Sequence, residues 1–148
     1  AMYRACGLKA YRQKIPLDNI SELTKMMEAI KVEIKYSQPN NIVLLDGEDV
    51  SQAIREPYVG KMASDISAIG VVRAGMTALQ RKLGQAKSIV MDGRDIGTVV
   101  FPDAEFKFFM VADLDERAQR RFLEEKEKGS TKTFEEVKAE LAQRDYND

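Results

Sequence analysis

Two short, largely apolar runs, residues 88–91 and 106–112, constrain the fold of this 148-residue chain more than any other feature. Each is too short for a typical helix, is apolar on successive rather than alternate positions, and is closed by an aspartate, Asp92 and Asp113. That is the pattern of strands buried on both faces of a parallel sheet, delivering a polar residue at their carboxyl ends. Segments of helical period surround both runs. The resulting order of helix, helix, hairpin, helix, strand, loop, strand, helix, helix predicts an α/β fold.

Local patterns supply the remaining elements. Residues 1–13 read as a helix with Tyr3, Leu8 and Tyr11 as apolar anchors, and Pro16 interrupts it. Asp18 or Ser21 can cap a second helix, in which Ile20, Leu23, Met27 and Ile30 recur at helical spacing. Val32, Ile34 and Tyr36 then alternate with Glu33 and Lys35. Gln38-Pro39-Asn40-Asn41 makes a turn, and 42–45 a second strand that Asp46-Gly47 ends, so a hairpin is expected. Helical period returns through Ile66, Ile69, Val72, Met76, Leu79 and Leu83, with Gly84 as a stop, and Gly70 and Gly75 can bend or split that helix. A helix from Asp113 to Gly129 carries Arg117, Arg120 and Arg121, and Thr133 with Glu136 forms a capping box for the last helix.

Composition narrows the chemistry. The chain contains no histidine, which excludes Ser-His-Asp and Cys-His nucleophilic sites and H-E-x-x-H metalloenzymes. Its single cysteine, Cys6, excludes an internal disulfide framework and reads as a small core residue. Lys plus Arg (23) against Asp plus Glu (24) leaves a net charge of −1, which argues against a nonspecific nucleic-acid binder. No run of about eighteen apolar residues exists to span a membrane. A cytoplasmic monomer with no nucleic-acid or membrane partner is expected, and the length suits one domain.

Asp92-Gly93-Arg94-Asp95 follows the first apolar run, at the strand end where ligands bind in open α/β sheets. There Asp92 can hold magnesium directly or through water, Arg94 offers a fork of donors to a phosphate, and Asp95 offers an acceptor. The same three residues also suit a plain loop salt bridge. The arginines Arg117, Arg120 and Arg121 suit surface pairs such as Arg120 with Glu124 and Arg121 with Glu125. One window, residues 70–77, has the glycine spacing of a phosphate-binding loop, but Met76 stands where its lysine belongs and no strand precedes it. It is a decoy.

Taken together, Ala1-Met2-Tyr3-Arg4, Asp46-Gly47-Glu48-Asp49-Val50, Ala63-Ser64 followed by Val72-Arg73, Met91-Asp92-Gly93-Arg94-Asp95-Ile96-Gly97-Thr98-Val99-Val100-Phe101-Pro102-Asp103-Ala104, and Gln143-Arg144-Asp145 resemble the bacterial cytidylate kinases. The resemblance runs along the whole chain, and the block from Asp92 to Ala104 is its most specific part. It implies a P-loop nucleoside-monophosphate kinase fold: a three-layer parallel sheet, incomplete here, with a nucleotide-binding insert near 14–60 and a helical lid near 115–145. It implies phosphoryl transfer from ATP to CMP or dCMP with magnesium, giving the diphosphate and ADP.

By the same resemblance Arg4, Arg94 and Arg144 would contact the CMP phosphate, Ser64, Arg73 and Asp95 would read cytosine, and Asp148 would hold the ribose. Cytosine presents an amine donor beside ring-nitrogen and carbonyl acceptors, which a carboxylate and two donors can match. Asp92, Arg94 and the lid arginines Arg117, Arg120 and Arg121 would serve the transferring phosphate, with Asp92 the candidate magnesium ligand. The family's G-x-x-x-x-G-K-[ST] loop has no counterpart in this sequence. The chain is therefore expected to be an internal piece of such a kinase, inactive by itself, with a noncatalytic CMP-binding fragment as the alternative.

Overall fold

The computed structural model describes residues 1–38, 40–85 and 88–147. Its elements are α1 (Met2–Arg12), α2 (Ile20–Ala29), β1 (Val32–Lys35), β2 (Ile42–Leu45), β3 (Glu48–Asp49), α3 (Pro57–Ser67), α4 (Gly70–Gln85), α5 (Leu114–Glu127) and α6 (Phe134–Asn147), with a short 3-10 turn at Ala53–Arg55 and a wider π turn at Ile96–Val100. The chain forms two compact units, one of Ala1–Met91 with Val99–Phe101, the other of Asp92–Thr98 with Pro102–Asp148.

The first unit is built around α1. Met2, Ala5, Cys6, Gly7, Leu8, Lys9 and Ala10 are all buried, so this helix is covered on nearly every side. Tyr3 is half-buried, and Tyr11, expected as an anchor, is instead 54% exposed and rests on Tyr58 with ring centroids 5.1 Å apart. Gly7 lets α3 come close: a Cβ there would lie 3.1 Å from both the Ala63 nitrogen and the Met62 carbonyl carbon. α2 packs on α4, and Leu23, Ile66, Val72 and Met76 close the core without solvent exposure. Burying each such side chain stabilises the fold by roughly 1.5–3 kcal/mol.

Asn19, rather than Asp18 or Ser21, caps α2 by accepting the Glu22 amide at 3.2 Å. Asn19 immediately precedes the first helical residue, and from there its side chain reaches the orphan amides of the first turn. The helix expected through Ile66 to Leu83 is two helices, broken at Ala68–Ile69 just before Gly70, while Gly75 lies within α4.

The hairpin forms with Val32 opposite Leu45 and Lys35 opposite Ile42, and the turn's Pro39 lies outside the described residues. Asp46-Gly47 does more than end β2. With φ of 50° and 89° these residues make a two-residue turn that leads into β3, pairing Leu45 with Glu48. Asp-Gly suits such a turn because both positions need positive φ. Asp46 then ties the unit together. Its Oδ2 lies 2.6 Å from the buried Lys9 ammonium, and its Oδ1 accepts the Lys31 amide at 2.9 Å.

The expected parallel strands do not appear. Residues 88–91 and 106–112 form no ladder among the described residues, whose one sheet is the antiparallel β1-β2-β3. A buried strand exists only where neighbours satisfy its backbone groups, and none flanks these runs. Phe108, Phe109 and Met110 consequently stand 89–94% exposed. The chain is α/β, with a small antiparallel sheet and many helices.

The second unit centres on α5 and α6. Asp113 caps α5 through the Asp115 amide at 2.8 Å, and Thr133 and Glu136 form the expected capping box, with reciprocal bonds of 2.7 and 3.3 Å. Ala118 and Val137 are fully packed, and Phe122 meets Phe134 edge-on. No helix among the described residues is long and apolar enough to cross a membrane.

Gly7→Val should lower the urea midpoint of unfolding by the equivalent of about 1–3 kcal/mol, because the atoms it meets are backbone that cannot step aside. Gly70→Ala, in open space, should leave the midpoint within about 0.5 kcal/mol. Asp46→Asn strands a buried ammonium and should cost about 1–2 kcal/mol at pH 7, between the values for exposed and buried pairs. Partial burial pushes the Asp46 carboxyl up, but the Lys9 and Lys31 bonds hold it below the ordinary aspartate value. Its contribution is therefore present at neutral pH and lost as pH falls through that depressed value, so denaturation curves of wild type and Asp46→Asn should converge in acid.

Candidate phosphate-binding site

In the second unit the Asp145 carboxylate binds the Arg117 guanidinium and feels the charges of Arg94 and Arg144. Arg117, one turn into α5, donates from Nη1 and Nη2 to the two Asp145 oxygens at 3.0 and 2.7 Å. Its Nε donates to the Ala112 carbonyl at 3.1 Å, so the fork is aimed by the backbone at the start of its own helix. Asp145 lies in the last turn of α6 beside Arg144, and its charge acts on Arg94 as well as on these two.

The electrostatics follow from this grouping. The Arg117 bond, opposed in part by desolvation, holds the Asp145 carboxyl below its usual value, and attraction to Arg94 and Arg144 adds to the effect. Partial desolvation, then repulsion from Arg144 and Arg117, lowers the Arg94 pKa, while Asp145 works the other way. The Arg117 pKa is raised chiefly by its bond to Asp145. Cationic forks held close together match a multiply charged oxyanion, and a phosphate offers the acceptor geometry that they fit.

The other sequence-predicted residues divide between the units. Arg4 on α1 donates to the Ile54 carbonyl at 2.8 Å and lies over Gly60 of α3. Ser64 in α3 and Arg73 in α4 stand exposed on either side of the helix break. Asp92 and Asp95 lie in the second unit, the first exposed and the second half-buried, with the Asp95 carbonyl accepting from the Thr98 amide and hydroxyl at 3.4 Å. Asp148 lies outside the described residues.

Arg121 pairs with Glu125 at 2.7 Å as its spacing predicts, whereas Arg120 turns back to Glu116 at 3.6 Å instead of reaching Glu124. The Arg120 pair is long and exposed, hence weak, and leaves that side chain free to reorient, whereas Arg121 is held by the half-buried Glu125 and also reaches Glu124 at 3.4 Å. The decoy window is helical throughout, as its sequence predicts. Cys6 is a core residue whose thiol is pushed up to about 12 by burial, which removes it as a nucleophile.

Among the described residues no three Asp, Glu, Cys or His side chains gather as a metal cage. Asp92, exposed on an irregular segment, suits a magnesium ion carried mainly by phosphates and water.

Asp145 is the residue that the site-by-site reading misses. It stands in the quoted Gln143-Arg144-Asp145 motif, but nothing local shows that it pairs with a residue 28 positions away. Arg81 is a second. Its guanidinium donates to the Val100 and Val99 carbonyls at 3.0 and 2.7 Å, closing the end of the π turn.

A sequence model of the family described as cytidylate kinase matches residues 1–148. A cytidylate kinase of Caldicellulosiruptor saccharolyticus is 45% identical over all of this chain, which covers 66% of that protein. Cytidylate kinases of Caldanaerobacter subterraneus subsp. tengcongensis and Bacillus thuringiensis are 45% and 42% identical over the whole chain, which covers 64% and 66% of them. The chain thus spans about two thirds of the length of these curated relatives. With the model matching from first residue to last, the chain belongs to the cytidylate kinase family.

Proposed function

We propose that the chain is the acceptor-nucleotide and lid portion of an enzyme that transfers the terminal phosphoryl group of ATP to CMP or dCMP, giving CDP or dCDP and ADP in pyrimidine nucleotide metabolism. The observation that carries this reading is the Arg117 fork on Asp145, within reach of the charges of Arg94 and Arg144, in a chain whose whole length matches one kinase family. Phosphoryl transfer asks a protein for positioning and charge neutralisation rather than for an imidazole or a covalent nucleophile, and this sequence has no histidine.

Each candidate then has a role. Arg4, Arg94 and Arg144 hold the acceptor phosphate, and Ser64, Arg73 and Asp95 read cytosine, with Asp95 accepting from the exocyclic amine. Asp148 holds the ribose. Arg117, Arg120 and Arg121 neutralise charge on the transferring group, and the long, exposed pair of Arg120 with Glu116 lets that side chain swing toward it. Asp92 would hold magnesium through water, and the bound ion would offset phosphate charge there. Residues 14–60 act as the nucleotide-binding insert and 115–145 as the lid of a cytoplasmic monomer. The runs 88–91 and 106–112, which form no ladder among the described residues, would join a three-layer parallel sheet of the P-loop type in the whole enzyme, a reading supported by their exposed apolar side chains.

A second reading applies to the 148 residues taken alone, namely CMP binding without transfer. It is favoured by the one window with P-loop glycine spacing, which is helical and carries Met76 in the lysine position. An ADP-release assay with CMP and magnesium ATP tests both readings. No turnover is expected from these residues alone, and CMP-dependent turnover is expected once a segment carrying a G-x-x-x-x-G-K-[ST] loop is fused before Ala1. Silence from the fused, folded protein would remove the kinase reading. For base choice, Asp95→Asn should reduce the preference for CMP over UMP by about tenfold or more, since uracil presents a carbonyl where cytosine has its amine. An unchanged ratio would take Asp95 out of that role.

A further inference from the structure

We propose that Asp145 is an internal occupant of the phosphate site, its carboxylate holding the Arg117 fork that a phosphate group of the nucleotide takes over on binding. The inference rests on the nucleotide reading above and deepens it, by naming a residue that sets how strongly the site draws an anion.

Geometry carries it. Both terminal nitrogens of Arg117 are engaged by Asp145, at 3.0 and 2.7 Å, in the two-pronged arrangement that a phosphate reproduces. The third donor, Nε, is fixed on the Ala112 carbonyl at 3.1 Å, so the fork keeps its aim when its partner changes. Both side chains are partly open to solvent, at 35% and 38%, which leaves an incoming anion a route to the fork. Arg94 and Arg144 act on the same carboxylate, so Asp145 sits where their fields and that of Arg117 overlap.

A plain ion pair binding α5 to α6 would not need this position. Those helices are already joined by Lys138 with Asp115 and by the edge-on rings of Phe122 and Phe134, and Lys132 bridges α6 to its own approach through Glu140. Competition also has a direction. A phosphomonoester carries a charge of about −1.5 to −2 at pH 7 and three acceptor oxygens, against one charge and two oxygens for a carboxylate. The phosphate therefore displaces Asp145, whereas a singly charged carboxylate ligand has no such advantage. Asp145 acts as a threshold, keeping the arginines ordered when no nucleotide is present and lowering the affinity for weaker anions.

Titration calorimetry on wild type, Asp145→Asn and Asp145→Glu, with pyrophosphate, CMP and cytidine as probes, tests this. Asp145→Asn should bind pyrophosphate and CMP about three- to tenfold more tightly, with cytidine unchanged, and Asp145→Glu should return the wild-type values. A purely structural tie would weaken all three probes or leave them alone, so unchanged or weaker pyrophosphate binding in folded Asp145→Asn overturns the proposal. If that variant does not fold, the Arg117 Nε resonance of wild type supplies the answer. It should move as pyrophosphate saturates, and a stationary signal overturns the proposal. The two readings fail separately. Tighter pyrophosphate binding with CMP no better than cytidine removes the CMP role and keeps the internal occupant. Specific CMP binding without a pyrophosphate response to Asp145→Asn does the reverse.

Discussion

A lysine buried in the central helix governs the first unit. Lys9 is 7% exposed in a helix whose neighbours Cys6, Leu8 and Ala10 are fully packed, and an ammonium there must be paired. Asp46 pairs it, from a turn whose backbone is held at positive φ, and the same carboxylate receives the Lys31 amide at the entry to β1. One charge thus joins α1, the end of α2 and the hairpin. The antiparallel sheet is small, and its attachment to the helices depends on this contact as much as on Val32, Val43 and Leu45. Arg4, a turn earlier on α1, is aimed by the same rigid helix and held on the Ile54 carbonyl.

The second unit follows a similar rule on its surface. Arg144 and Arg117 repel Arg94, and the charge of Asp145 offsets that repulsion. The proposed phosphate site needs such concentrated charge, yet needs it ordered when no phosphate is there. An internal carboxylate meets both requirements, at the cost of some affinity. Helix ends do the placing: Asp113 caps the turn that carries Arg117, and α6 ends on Arg144 and Asp145.

Much of this was legible in residue order. The capping box at Thr133 and Glu136, the ends of α1 and the hairpin are local effects, decided within a few residues, and all are present. The cytidylate kinase resemblance, carried mainly by the block from Asp92 to Ala104, agrees with the family match over the whole chain. Misreadings arose where two local solutions compete closely. Asn19 prevailed over Asp18 and Ser21 as a cap, and Arg120 chose Glu116 over Glu124, because such alternatives differ by only tenths of a kcal/mol to about one. The runs at 88–91 and 106–112 form no ladder among the described residues for another reason, since a ladder is a property of pairs of segments and those residues supply no partner.

Sequence alone settled the chemistry open to this chain: arginines and carboxylates without an imidazole, no disulfide, and a polar block behind an apolar run. Periodicity and caps settled its helices, because those depend on contacts three or four residues apart. Tertiary structure alone decided which charges distant in sequence meet. Lys9 finds Asp46 across 37 positions and Arg117 finds Asp145 across 28, and neither pairing has any local signature. Coulomb attraction acts through space rather than along the chain, so its partners are known only once the fold has brought them together.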